Sequence, residues 1–225
     1  MPKATGLQSF SRTELLDLDE VLRHKKTQLA LKRVFDLIVS LIGLVVLSPL
    51  LVVIALLVKA DSKGPVFFRQ TRVGQGGKEF QIWKFRTMII DAEEKGLQIT
   101  VGADSRITGV GHFLREYKLD ELPQLINILV GEMSFVGPRP EVPRYVATYD
   151  ERQRCILKVR PGITDLASIE YRDENDILAQ SDCPERTYVE KIMPKKIELN
   201  MQYIENLSVA YDVRLIFRTI RVVLR

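Results

Sequence analysis

The sequence predicts an α+β fold. Its parts are an N-terminal re-entrant membrane helix hairpin kinked at a Ser-Pro step, a small β-hairpin, and a mostly helical domain with interfacial amphipathic helices. Three observations predict it. Residues 34–58 are an apolar run with Lys or Arg beyond both ends and Ser48-Pro49 in the middle. Residues 66–87 hold two alternating stretches around Gly74-Gln75-Gly76-Gly77. Much of the remaining chain repeats its apolar residues at helical spacing and finishes on a basic amphipathic stretch.

Whole-chain properties narrow the field. With 225 residues, one or two domains with a real core are expected. The net charge of +4 suits anionic lipid, phosphate-bearing substrates or nucleic acid equally. No nucleic-acid motif accompanies it, and the apolar run argues against a nucleic-acid partner. Cys155 and Cys183 have neither metal-ligand spacing nor a secretory context, so reduced, unpaired thiols are expected. His24 and His112 lie far apart among ordinary residues, which disfavours histidine-based metal or triad chemistry. The chain divides into an extension (1–30), the membrane helix (31–60) and a domain (61–225).

In the extension, Ser11 and the spacing of Leu15, Leu18 and Leu22 suit a capped amphipathic helix. It fits a homodimer contact or an inert arm equally. No small-residue cleavage site follows the apolar run, so it is not a signal peptide.

From Leu37 to Val58 the helix would be about 33 Å long, enough to cross a hydrocarbon core. A buried core helix is the ordinary alternative, but so long an apolar face is hard to cover in a domain of this size. Pro49 removes an i→i−4 hydrogen bond and predicts a kink; Ser48 can satisfy a freed backbone group. Basic residues at both ends (Lys32 and Arg33, Lys59 and Lys63) do not choose a direction of crossing. A helix that bends at Ser48-Pro49 and returns puts both basic ends on one side and Asp36 near headgroup level, which favours the re-entrant form.

Val66–Arg72 and Lys78–Thr87 predict the hairpin. Its Gly-rich turn is not a nucleotide-binding fingerprint, because no helix follows at the right spacing. Lys84 and Arg86 share a strand face by period two, a pair suited to a pyrophosphate or simply to water. Residues 91–118 read as a polar helix end and loop followed by a partly buried helix, with Arg115 five residues before Asp120.

Tyr117–Glu141 is the richest stretch. Asp120 and Glu121 stand before Leu122-Pro123, and Leu125, Ile126, Ile128 and Leu129 continue at helical spacing to Gly131. A helix opening on an acidic pair is expected, its N-terminus helping to keep both carboxylates ionised. Arg139 follows, held between Pro138 and Pro140. A nucleophile, a metal ligand and a stiffly mounted cation are the parts of a phosphoryl-transfer site. Taken alone, the acidic pair reads as a solvated helix start and the Gly-Pro-Arg-Pro turn as a rigid bend.

Beyond it come a short helix within 142–165, a turn holding Arg160 before Pro161, and a charged, loop-like stretch at 170–187. Residues 188–225 are helical with a break near 208–211. The last helix is basic and amphipathic, suited to an anionic membrane surface or to packing on the domain.

Several of these stretches together resemble the bacterial sugar transferases, the small monotopic phosphoglycosyl transferases. They are Lys32-Arg33-Val34-Phe35-Asp36 with Ser48-Pro49, Lys84-Phe85-Arg86-Thr87-Met88, Leu119-Asp120-Glu121-Leu122-Pro123-Gln124-Leu125, Met133–Pro140, Val159-Arg160-Pro161-Gly162-Ile163-Thr164, and Asn206-Leu207-Ser208 with Asp212. The resemblance covers nearly all of 32–225. It implies a bacterial inner-membrane enzyme whose catalytic domain faces the cytoplasm. Such an enzyme moves a sugar-1-phosphate from a UDP-sugar to polyprenyl (undecaprenyl) phosphate and releases UMP. By resemblance Asp120 is the nucleophile, and Glu121, with Asp120, is the ligand of Mg²⁺. Lys84, Arg86, Arg115, Arg139, Arg160 and Asp212 are candidate substrate or phosphate positions. The chain departs from the family pattern Arg-Pro-Gly-Ile-Thr-Gly, where Asp165 replaces the last glycine. A non-catalytic membrane scaffold of the same fold is the alternative, and the intact Asp120, Glu121 and Arg139 argue against it.

Overall fold

The computed structural model describes residues 12–90, 92 and 104–223. The Ser11 cap, the Leu15 side chain and most of the 91–103 segment lie outside the described residues.

Helix α1 (Arg12–His24) leads into α2 (Lys26–Asp61), which is 36 residues long. α1 is docked: Leu18 is buried in the main core, Leu22 packs against it, and Asp19 pairs with Lys158 at 2.7 Å. α2 is long and apolar enough to cross a membrane. One stripe at 3–4 spacing, Leu44, Leu47, Leu51, Ile54 and Val58, packs on the domain. The other side stays uncovered: Val45, Val46, Val52, Val53 and Leu56 are each more than half exposed. Each such side chain would gain about 1.5–3 kcal/mol on leaving water, so this face needs an apolar environment.

The helix runs unbroken through Pro49. Pro49 has no N–H to give the Val45 carbonyl, and the Ser48 hydroxyl donates to that carbonyl instead, at 2.7 Å. The Ser-Pro pair thus replaces the lost backbone bond locally.

Strands β1 (Phe67–Val73) and β2 (Glu79–Phe85) form the antiparallel hairpin, with Phe67 opposite Phe85 and Val73 opposite Glu79. Gly76 and Gly77 take positive φ in the turn. Next come α3 (Gly109–Glu116), a 3₁₀ turn (Leu119–Gln124) and α4 (Leu125–Val130). The acidic pair therefore lies on a 3₁₀ turn, not on the first turn of an α-helix. Asn127 ties α4 to β2: its side-chain oxygen accepts from the Trp83 N–H at 3.0 Å and its amide donates to the Gln81 carbonyl at 2.8 Å.

A second, parallel pair joins β3 (Ser134–Val136) to β4 (Gly162–Thr164). Two chain segments cross closely beside it. A Cβ on Gly137 would sit 2.4 Å from the Arg160 carbonyl oxygen. Between these strands lie α5 (Pro143–Val146) and a 3₁₀ turn (Gln153–Lys158).

After α6 (Leu166–Glu170), the charged stretch expected as loop at 170–187 contains α7 (Glu174–Ala179) and α8 (Pro184–Thr187). Tertiary contacts order it: Leu178 is buried to 1% exposure and Glu174 pairs with Lys196 at 2.8 Å. A π-helical turn, Tyr188–Ile192, enters α9 (Met193–Glu205), and α10 (Val209–Val223) follows the break. α10 shows both of its expected faces. Leu215 is buried in the core, while Phe217 and Ile220 are exposed.

The Ser48–Val45 bond predicts a coupled pair of substitutions. Ser48→Ala leaves the Val45 carbonyl unpaired and lowers stability in detergent by about 1 kcal/mol. Ser48→Ala with Pro49→Ala restores a backbone donor, and thermal unfolding of the double variant returns to wild type or above.

Candidate active site

Glu121 lies at the centre of a buried charge cluster. Lys84 from β2 donates to its Oε1 at 2.8 Å. The Arg139 guanidinium donates to both oxygens, NH2 to Oε1 and, at 3.4 Å, NH1 to Oε2. Burial alone would raise the Glu121 carboxyl; the charges and hydrogen bonds of Arg139 and Lys84 outweigh it and hold Glu121 well below its ordinary value. Glu121 in turn raises Arg139 against the opposing effect of burial. Burial lowers Lys84, against the attraction of Glu121.

Asp120, next along the 3₁₀ turn, differs. It is only 7% exposed, and its Oδ1 is buried with no hydrogen-bond partner. Burial pushes its carboxyl up from the ordinary value against Lys84, and the Glu121 charge adds to the rise. The helix N-terminus expected to favour both carboxylates is replaced by the 3₁₀ turn, and the two carboxyls shift in opposite directions. Cations fix Glu121 as an anion, and Asp120 is left electrostatically loaded and unsatisfied. Two neighbouring carboxyls with oppositely shifted affinities for a proton are a common mark of a reactive site.

Other cations complete the surroundings. Arg115 donates from Nε to the Thr87 hydroxyl at 2.8 Å, and its charge acts on Asp120. The Arg139 backbone is pinned on both sides. Its N–H donates to Asp165 Oδ2 at 2.9 Å, and the next carbonyl, Pro140 O, accepts from Arg72 at 3.0 Å. Arg72 also faces Glu141, which accepts from the Tyr188 hydroxyl.

The remaining candidates are placed elsewhere. Arg86 does not join Lys84, because β2 ends at Phe85. Its guanidinium donates to the Ser62 carbonyl at 2.8 Å, to Val58 at 3.4 Å and to Lys63, closing the C-terminal end of α2. Arg160 donates to the Gly131 carbonyl at 3.0 Å. With Arg33, which bonds Ile128 O at 2.6 Å and Leu129 O at 3.0 Å, it caps α4. Asp212 forms a buried pair with Lys32 and accepts from the Tyr203 hydroxyl at 2.7 Å, which fastens α10 to the start of α2. Asp36 accepts from the Phe135 N–H at 3.2 Å and joins α2 to β3. A free glutamate and a free arginine in sequence gave no sign that they would meet, so the Arg139–Glu121 bond was not legible. The roles of Arg72, Asp165 and Tyr203 also went unread; Asp165 was visible only as a departure from the glycine of the pattern.

Residues 27–225 match the bacterial sugar transferase family. The chain belongs to the bacterial sugar transferases. Its relatives include the UDP-glucose:undecaprenyl-phosphate glucose-1-phosphate transferase of Klebsiella pneumoniae, 43% identical over 198 residues, 84% of this chain and 39% of that protein. The UDP-N-acetylgalactosamine-undecaprenyl-phosphate N-acetylgalactosaminephosphotransferase of Aeromonas hydrophila is 38% identical, over 86% of this chain and 44% of that protein. The exopolysaccharide production protein PSS of Rhizobium leguminosarum bv. phaseoli is 38% identical and is matched over 85% of this chain and 94% of its own length. The matched region of this sugar transferase thus spans less than half the length of the first two relatives and nearly all of the third.

The cluster predicts a pH-dependent stability. Glu121→Gln removes the carboxylate that Lys84 and Arg139 share and lowers stability by about 3 kcal/mol at neutral pH. The folded-state affinity of Glu121 for a proton is depressed. The difference from wild type is therefore full above the ordinary value of 4.5 and shrinks as pH falls through the lower folded value. Denaturant titrations at pH 7 and pH 3.5 check it.

Proposed function

We propose that this sugar transferase moves a sugar-1-phosphate from a UDP-sugar to undecaprenyl phosphate, releasing UMP. The supporting observation is the pairing of an unsatisfied, buried Asp120 with a Glu121 clamped by Lys84 and Arg139. An Asp120 oxygen forms a bond to the β-phosphorus of the UDP-sugar, and the bond from that phosphorus to the bridging oxygen breaks, with UMP leaving. The enzyme then holds an acyl phosphate to the sugar, itself a good donor. A phosphate oxygen of undecaprenyl phosphate attacks the same phosphorus, the bond to Asp120 breaks, and undecaprenyl-diphosphate sugar departs. The raised Asp120 favours a reactive carboxylate over an inert one, and Lys84, Arg115 and Arg139 surround the position where phosphate charge gathers.

A Mg²⁺ ion fits this donor set. Such an ion keeps several waters and takes one or two carboxylates with substrate phosphates. Asp120, with its orphaned Oδ1, and Glu121 would hold it. When bound, it neutralises diphosphate charge and eases departure of the nucleotide.

The membrane arrangement belongs to the same reading. α2 bears an uncovered apolar face, yet Arg33 near its start and Arg86 at its end both tie it to the one domain. That favours a re-entrant helix bent at Ser48-Pro49 over a straight crossing, with both basic ends at one surface. The surface is the cytoplasmic face of the inner membrane, where UDP-sugars are available and undecaprenyl phosphate presents its headgroup. Exposed Phe113, Val130, Phe217 and Ile220 give the domain further apolar points for lipid contact. The reaction would start assembly of a lipid-linked glycan.

UMP release from a panel of UDP-sugars, with and without undecaprenyl phosphate and Mg²⁺, tests the proposal on detergent-solubilised protein. One donor should give lipid-dependent UMP, and Asp120→Asn should lower turnover about 10³-fold or more. An Asp120→Asn variant as active as wild type would sink the covalent mechanism. Absence of UMP from every donor would sink the reaction.

A further inference from the structure

Asp165 is fully buried, although it carries a carboxylate. Its two oxygens are divided between two elements. Oδ1 accepts from the Ser168 N–H and caps α6, while Oδ2 accepts from the Arg139 N–H at 2.9 Å. The residues on either side of Arg139 are prolines and contribute no N–H of their own. Their carbonyls are already engaged: Pro138 O accepts from the Gly162 N–H at 3.0 Å, and Pro140 O accepts from Arg72. The Arg139 N–H is thus the one backbone donor in Pro138-Arg139-Pro140, and Asp165 holds it. A glycine at 165 has no side chain with which to do so.

We propose that Asp165 is a positioning residue for Arg139: it fixes the arginine backbone so that the guanidinium rests on Glu121, and links that cation to the α6 segment. It acts through Arg139 and does not itself touch the reacting atoms. Its charge also strengthens the cationic form of Arg139. Its bearing on turnover rests on the proposed function; the positioning itself does not.

Asp165→Ser separates capping from positioning. Serine caps a helix about as well as aspartate, but it lacks the second oxygen, Oδ2, that accepts from the Arg139 N–H. Full-length protein in detergent is followed by amide hydrogen exchange and by UMP release. The segment containing Arg139 should exchange about tenfold faster in Asp165→Ser, with α6 little changed. The kcat should fall about tenfold with a smaller change in KM, and in an Arg139→Ala background Asp165→Ser should have no further effect. Unchanged exchange at Arg139, or an equal loss of kcat in the Arg139→Ala background, overturns the proposal. If Asp165→Ser does not fold, Asp165→Asn serves, since its amide can cap α6 while its NH₂ cannot accept from Arg139. If wild type releases no UMP, the proposed function fails, and the exchange measurement still decides the positioning.

Discussion

The structure depends on one buried interaction, the clamp of Lys84 and Arg139 on Glu121. Glu121 and Lys84 are largely shielded from water and Arg139 only in part, and charges so placed are costly unless each finds a partner. Their mutual satisfaction forces three remote segments to converge: β2, the 3₁₀ turn at Leu119–Gln124 and the Pro138–Pro140 strap. Much of the surrounding architecture serves that convergence. Asn127 locks β2 against α4, and Arg72 and Asp165 grip the strap from two sides. The close crossing at Gly137 brings β4, and with it Asp165, within reach. The clamp then sets the chemistry of its neighbour. With both cations committed to Glu121, the adjacent Asp120 is buried without a full complement of partners.

A second theme is the use of arginine at helix ends. Arg86 closes α2, and Arg33 and Arg160 together close α4. Each meets carbonyls at or just beyond a helix C-terminus, where a planar fork of donors and a positive charge fit the exposed dipole. In sequence such residues look the same as phosphate ligands. Period two gave Lys84 and Arg86 a common face, but the strand ended between them, and the two cations went to different carbonyl and carboxylate partners. Asp212 shows the same ambiguity, since its charge is consumed by Lys32 and Tyr203 in fastening α10 to α2.

What was legible follows from range. The apolar run, the hairpin with its glycine turn and the break before α10 are local signals, and the structure carries each close to where the residues place it. The β3–β4 pair was not legible, because three-residue strands some 26 positions apart leave no periodic trace. The helices α7 and α8 were missed for a related reason. Their order comes from single tertiary contacts, Leu178 in the core and Glu174 on Lys196, rather than from an amphipathic pattern. In the candidate site the residue types were readable and the pairings were not, since a pairing between Glu121 and Arg139 is a property of the folded chain.

The placement of the clamp beside α2 has a consequence for access. Leu125 of α4 packs against Gly43 of α2, where an added Cβ would stand 3.3 Å from its side chain. The 3₁₀ turn bearing Asp120 and Glu121 runs directly into α4. The acidic pair is therefore fixed at a short chain distance from the helix whose other face is bare and apolar. On the proposed function, a long-chain lipid phosphate lying along that face would reach Asp120 without leaving its apolar surroundings, and a nucleotide sugar would meet Lys84, Arg115 and Arg139. The proposed reaction joins two substrates of opposite solubility, and on that reading the ionic clamp holds the acidic pair between the bare face of α2 and the polar side of the domain.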